Sequence, residues 1–185
     1  MYGLINEAMH RHVAENAGDE AWAQVAALAG TSQSFAAMHY YDDADTYALV
    51  AAASEVLGQP ADALLHGFGR YWAMRVGPEN YSGLLGATGT DVVSVLRNLD
   101  GMHSRLMSLY PDLRPPSISL TVTGETTFDV VYRSDRTGLV PFVVGILEGL
   151  GDLYGTPALV SHDVEGSAGL DHELFHVELP GSGPL

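Results

Sequence analysis

The sequence predicts an α+β fold, with a helical N-terminal lobe and a C-terminal lobe built on an antiparallel sheet of about four strands. Three observations predict it. Helical periodicity dominates the first two thirds of the chain. Alternation of apolar and polar residues begins only after Pro115-Pro116, and no strand–helix–strand series recurs.

The elements run in order. Residues 3–16 and 18–29 carry helical patterns broken at Gly18 and Gly30. Residues 44–58 form an Ala-rich helix ended by Gly58 and Pro60. The next helix, 60–76, opens with Pro60 in its first turn and is closed by Gly77-Pro78, and a short helical stretch covers 78–86. Thr90 and Asp91 are N-cap candidates for a longer helix from about 91 to 110, stopped by Pro111. Residues 117–123 (SISLTVT) and 126–134 alternate about the Gly124-Glu125 turn and form a hairpin. A helix over about 138–154 and strands at 157–163 and 172–179 complete the order. There is no internal repeat, and the tail PGSGPL is expected to fray.

Composition excludes several classes of function. The 185 residues carry 23 acids against 8 bases, every base is arginine, and the net charge is −15. Such a surface repels phosphate backbones and anionic lipid. With no cysteine, disulfides and thiolate-ligated zinc are ruled out. The apolar runs are too short to span a bilayer. The opening MYGLINEAMHRHV reads as an amphipathic helix rather than a signal peptide, so a cytoplasmic location is expected.

Two patterns carry chemistry. On the helix at 91–110, Val92, Leu96, Leu99, His103, Leu106 and Tyr110 recur at spacings of four and three and share one face. Burying an imidazole in that stripe demands a partner. The partner is either a metal ion, for which neutral imidazole is a common ligand, or a main-chain carbonyl, the commoner arrangement in protein cores. The second pattern is the strand FDVVYRSDR, where Phe128, Val130, Tyr132, Ser134 and Arg136 share a face. The face starts apolar and ends in a phenol, a hydroxyl and a guanidinium. It suits a flat apolar ligand with carboxylates at one edge, which Arg136 would bind bidentately. A strand passing from core to surface looks the same.

Taken together, the residues resemble the H-NOX family, haem domains that bind nitric oxide or oxygen and are related to the haem domain of soluble guanylate cyclase. The resemblance rests on Met1-Tyr2-Gly3, Asn98-Leu99-Asp100 ahead of His103, and Leu113-Arg114-Pro115-Pro116 after it. It continues through Tyr132-x-Ser134-x-Arg136 and Gly138-Leu139-Val140-Pro141, and it covers essentially the whole chain. It implies one haem-binding domain over 1–185, with a helical distal lobe over about 1–65, a proximal helix and sheet lobe over about 66–180, and a haem between them. The cofactor implied is haem b, iron protoporphyrin IX. His103 matches its proximal ligand, and Tyr132, Ser134 and Arg136 match the residues that hold its propionates. Ile5 and Pro116 match positions that press on the porphyrin; both are stiff residues.

The distal side implied by the resemblance is Met9, Trp72, Phe142 and Ile146. Bound oxygen gains from a nearby hydrogen-bond donor, whereas nitric oxide needs one far less. Oxygen-binding members place a tyrosine three residues before the glycine that is Gly145 here; this chain has Phe142 there. Trp72 alone carries an N–H, and the Met9 thioether is expected to fill space rather than ligate iron. The expected function is therefore a gas sensor and not an enzyme, with nitric oxide and carbon monoxide as diatomic ligands. Nitric oxide would weaken the iron–His103 bond and free the His103 helix to shift. With no effector domain in the 185 residues, the signal is expected to pass to a separate protein, such as a histidine kinase or a cyclic-dinucleotide enzyme, whose basic patch would meet the acidic surface. The alternatives are an oxygen-binding member of the family, and a haem enzyme of the peroxidase or nitric oxide dioxygenase kind. The enzymes need a distal His or Arg that the sequence does not place.

Other motifs are set aside. His172-Glu-Leu-Phe-His176 fits the H-E-x-x-H zinc pattern, but Phe175, Val177 and Leu179 alternate as in a strand, so the two histidines are expected to be exposed strand residues. Gly67-Phe68-Gly69 lies within a helical pattern and follows no strand. Asp42, Asp43 and Asp45 read as a solvated acidic loop. His10, His12, His39, His66 and His162 show no ligand pairing.

Overall fold

The computed structural model describes residues 1–80 and 89–182. The chain divides into two compact units, Met1–Phe68 and Gly69–Leu185. Most of the sequence-predicted stretch 78–86 lies outside the described residues, as does the end of the tail. No helix among the described residues is long and apolar enough to cross a membrane.

The first unit is built from α1 (Gly3–Ala17), α2 (Asp19–Ala29), α3 (Asp43–Leu57) and most of α4 (Ala61–Tyr71). Each of the first three helices packs on the other two. Met9, Val13, Trp22, Val25, Leu49 and Ala53 are buried among them, and the Trp22 indole donates to the Gln33 carbonyl at 2.8 Å. Gly30 and Gly58 end α2 and α3 in the left-handed region, at φ 67° and 62°, where a side chain would be strained. Histidines here serve packing: the His10 ring stacks on Trp22, and His12 lies against Phe68. The acidic loop expected at 42–45 is not a loop. The Asp42 side chain caps α3 by accepting from the Ala44 N–H at 2.9 Å, while Asp43 and Asp45 form its first turn. The Asp43 carboxylate also binds the Met1 ammonium.

The second unit opens with a departure from expectation. Gly77-Pro78 does not close the helix. The chain passes through a π-turn, Trp72–Val76, in which the Gly77 N–H donates to the Trp72 carbonyl, and it stays helical to residue 80. A proline ring clashes with the carbonyl four residues back in an ordinary helix. One widened turn just upstream of Pro78 relieves that clash and lets the helix continue. The Asn80 side chain compensates further, donating to the Val76 carbonyl at 2.9 Å.

α5 (Val92–Leu109) begins at the expected cap. The Asp91 carboxylate accepts from the Ser94 N–H at 2.8 Å, and the Ser94 hydroxyl accepts in return from the Asp91 N–H. β1 (Ser117–Val122), β2 (Thr127–Arg133), β3 (Leu159–Asp163) and β4 (Glu173–Glu178) form one antiparallel sheet in the order β1-β2-β4-β3. α6 (Val140–Leu153) lies between β2 and β3 in sequence. A one-turn helix that the sequence does not predict, α7 (Val164–Ser167), joins β3 to β4; its Asp163 cap accepts from the Gly166 N–H at 2.8 Å.

Register explains the core. Val130 sits opposite Leu120 on one side and Phe175 on the other, and Phe128 opposite Val122 and Val177. These residues share one face with Tyr132, and α5 and α6 supply Val92, Leu96, Val143, Leu147 and Leu150 to the same core. Phe128 and Phe175 are fully buried, each worth on the order of 1.5–3 kcal/mol as an upper bound. A one-residue slip of β2 would move Phe128, Val130 and Tyr132 to the solvent face together.

Candidate functional site

His103 lies on α5, on the stripe the sequence predicts, with Leu96 buried and Leu99 packed against the core. The side chain is half-buried and its Nδ1 is 3.1 Å from the Pro116 carbonyl. A carbonyl only accepts, so Nδ1 carries the proton and Nε2 keeps its lone pair. Among the described residues Nε2 has no hydrogen-bond partner. Burial pushes the imidazole pKa below its usual value, against the weaker opposing pull of the Pro116 bond and the Asp100 charge. His103 is therefore neutral at pH 7, the form that binds metals. Both alternatives left open by the sequence meet in one side chain. A main-chain carbonyl holds one nitrogen, which is also how metal-ligating histidines are commonly oriented, with the other nitrogen left for a metal.

Asp100, one turn before His103, enters the sequence reading only as the end of Asn98-Leu99-Asp100, with no role of its own, and the structure makes it a functional candidate. Its carboxylate accepts from the Ser117 hydroxyl at 2.9 Å and from the Ile118 N–H at 2.8 Å. A carboxylate three residues ahead of a stripe histidine is the available signal, since residues i and i+3 on a helix are neighbours.

On β2, Tyr132 is 7% exposed and sits opposite Ile118 and Glu173. Ser134 and Arg136 come after the strand, half-buried. The Ser134 hydroxyl accepts from the Arg136 N–H at 3.1 Å, and Arg136 Nη1 donates to the Arg114 carbonyl at 2.8 Å. The stretch 114–118 thus receives Arg136 at one end, His103 at Pro116, and Asp100 at Ser117 and Ile118. His103, Pro116 and Arg136 are brought together by this short segment.

Trp72 and Phe142 belong to a second meeting point in the same unit. Gly69 lies so close to the Phe142 carbonyl and the Ile146 N–H that any Cβ there would collide with them. Trp72, three residues on, is half-buried and opens the π-turn, which packs on α6. Phe142 and Ile146 are half-buried on α6, and Gly145 is buried between them. Ile5 and Met9 belong to the first unit, with Ile5 half-buried and Met9 fully buried on α1.

These donors fit a haem. One neutral imidazole offers a nitrogen lone pair, and Tyr132 near the end of β2, with Ser134 and Arg136 just after it, offers two hydroxyls and a guanidinium, whereas Phe128 and Val130 on the same face are taken up by the core and not by a ligand. Among the described residues no three His, Asp or Glu side chains form a metal-binding group. The H-E-x-x-H pattern is corrected in part. His176 is exposed on β4, but His172 precedes the strand and is half-buried, with Nδ1 3.1 Å from Asp171. His176 instead lies between Asp129, at 2.7 Å, and Asp163, at 3.4 Å, on opposite ring nitrogens. His162, Glu173 and Ser167 resemble a hydrolytic triad, but both partners approach the same nitrogen, Nε2, and the serine hydroxyl donates to the Asp163 carbonyl.

Known proteins share the sequence pattern and the fold. The Haem-NO-binding family profile matches residues 2–162. Soluble guanylate cyclase gcy-31 of Caenorhabditis elegans is 26% identical over 180 residues, covering 96% of this chain and 26% of that protein. The chain thus spans about a quarter of the length of the curated relatives it matches. An H-NOX protein from S. oneidensis in the Fe(II)NO ligation state superposes with a TM-score of 0.83 at 19% identity, over 97% of this chain and 99% of that one. An oxygen-binding H-NOX domain in its oxygen complex superposes with a TM-score of 0.81 at 16% identity, over 100% and 96%.

Proposed function

The chain belongs to the Haem-NO-binding family, and from that premise we propose that it is a haem-based gas sensor that responds to nitric oxide. The observation that carries the proposal is His103, neutral, held through Nδ1 by the Pro116 carbonyl and open at Nε2. In this reading His103 would ligate the haem iron, and Tyr132, Ser134 and Arg136 would hold the propionates. Ile5 and Pro116 would be the residues to press on the ring, and Met9, Trp72, Phe142 and Ile146 those to face the gas. The cofactor is haem b. When bound, ferrous haem would supply a coordination position for a diatomic gas, and nitric oxide is the gas whose binding would loosen the hold of the iron on His103.

The chain's own residues carry the response from there. Were that hold to loosen, His103 would remain tied to Pro116 through Nδ1, and α5 to β1 through Asp100. The stretch 114–118 also receives Arg136, so a displacement of α5 is felt at the residue assigned to the propionates. That shared segment is the element on which two arrangements would differ. The output would pass to a separate signalling protein, a histidine kinase or a cyclic-dinucleotide enzyme, through basic surface complementary to the acidic one, in the cytoplasm. The protein acts as a sensor, not as an enzyme.

Selectivity rests on side chains, because the same fold accompanies both a nitric oxide and an oxygen complex in other proteins. Phe142 offers no hydrogen-bond donor, which favours nitric oxide; the Trp72 indole N–H is the one feature favouring the second reading, an oxygen-binding member. The test is spectroscopic. Ferrous protein loaded with haem should ignore air, bind carbon monoxide and become five-coordinate with nitric oxide. His103→Gly should take up haem only when imidazole is supplied. A stable oxygen complex would overturn the selectivity, rapid peroxide turnover would favour a haem enzyme, and haem uptake unaffected by His103→Gly would overturn the ligand.

A further inference from the structure

Resting on that reading, we propose that the π-turn Trp72–Val76 sets the direction of the Trp72 indole, with Arg70 and Pro78 as its positioning residues. Gly69, Ala73 and Gly77 are all buried, at every fourth position. In an ordinary helix, at 100° per residue, such a run drifts about 80° around the axis in two turns. The observed helix keeps all three buried because the widened turn falls between Gly69 and Gly77. The two ends of the turn are held separately. Upstream, Arg70 forks across to α6, with Nη1 donating to Glu148 at 3.1 Å and Nη2 to Asp152, one turn further on. Gly69 seats the helix backbone against Phe142 and Ile146 at the same crossing. Downstream, Val76 is buried, Pro78 cannot donate the N–H that would rebuild the ordinary ladder, and Asn80 occupies the Val76 carbonyl.

Trp72 is the first residue of the turn, so its direction depends on the register between these two anchors. Single π-turns concentrate at functional sites. This one begins at the only residue of the proposed gas side that carries a hydrogen-bond donor. The turn therefore governs how near that donor comes to a bound gas, and so how far the site discriminates against oxygen.

Deleting Met74, a residue 42% exposed, removes the extra residue of the turn without removing a buried side chain. The protein has two tryptophans, so 5-fluorotryptophan labelling gives two ¹⁹F resonances, and the one lost in Trp72→Phe is assigned to Trp72. In haem-free protein the deletion should move the Trp72 resonance and leave that of Trp22 in place. In haem-loaded protein it should shift the C–O stretch of the carbon monoxide complex. Should the deletion fail to fold, Arg70→Met releases the upstream anchor, and the same two shifts are expected. A folded variant with haem bound through His103, in which neither the resonance nor the stretch moves, overturns the inference and leaves the sensor reading standing. Absence of haem uptake by the parent protein overturns the sensor reading, while the haem-free resonance still tests the turn.

Discussion

Replacing Asp100 by alanine isolates the tie between α5 and the start of β1. The change removes an acceptor from the Ser117 hydroxyl, at 2.9 Å, and from the Ile118 N–H, at 2.8 Å. A hydrogen bond to a charged group contributes about 1.5–3 kcal/mol when buried. Ser117 is exposed and Ile118 only half-buried, so solvent reduces each to about 1 kcal/mol and the pair to about 2 kcal/mol. For a chain of this size the melting temperature should fall by about 4–8 °C. Asp100→Asn is the control. Its amide oxygen still accepts from Ile118, its amide nitrogen donates to a reoriented Ser117 hydroxyl, and only the charge is lost, so the expected cost is below about 1 kcal/mol. Urea unfolding of the two variants and the parent, read as midpoint shifts at constant slope, measures the difference. Nitrogen NMR of the His103 ring adds a local reading. In Asp100→Ala the Nδ1 proton should exchange faster, because the turn that aims it at Pro116 has lost its anchor. The reasoning is refuted if Asp100→Ala and Asp100→Asn are equally stable, or if the His103 ring is indifferent to both.

Two further expectations concern the same unit. The hydrogen bond to Asp129 raises the His176 pKa above the usual imidazole value, and Asp163 adds to it. A raised folded-state pKa means that stabilisation is fully present below the unfolded value of 6.5 and is lost as pH rises through the raised one. The melting temperature should therefore decline from about pH 6 toward about pH 8, the range around the ordinary imidazole pKa. His176→Gln should flatten that decline; an identical slope in the variant would contradict it. Arg136→Ala removes both the guanidinium assigned to the propionates and its bond to the Arg114 carbonyl. Haem transfer to an apoprotein acceptor should be faster while the axial ligand stays unchanged, and an unaltered transfer rate would count against the propionate assignment.

Much of the fold is legible in the sequence because local signals agree. The Asp91 cap, the Gly30 and Gly58 terminators and the Gly124-Glu125 turn each name a boundary within a residue or two of the observed one. The π-turn is not legible from Gly77-Pro78, because a proline ends a helix unless the backbone widens ahead of it, and that depends on what Gly69 and Arg70 meet on α6. The small residues at every fourth position are the one hint of it. Asp43 looks like a solvated loop residue because its partner, the Met1 ammonium, is distant in sequence. His172 looks like a strand residue because nothing local announces the short helix α7 and the turn after it. At the candidate site, periodicity locates His103 on its stripe, but no periodicity reveals that residues 114–118 gather two side chains from α5 and one from the segment after β2.

The strand order has a consequence for how the polypeptide is made. β4, the last of these four strands to leave the ribosome, lies between β2 and β3 rather than at an edge. Until about residue 178 has emerged, the first hairpin and β3 have no common neighbour, and Phe128 and Val130 lack Val177 and Phe175 opposite them. The nascent sheet must wait with apolar side chains uncovered, and closing it joins segments far apart in the chain, a slow and aggregation-exposed step. Messages truncated before β4 should therefore yield insoluble product rather than a smaller, working protein.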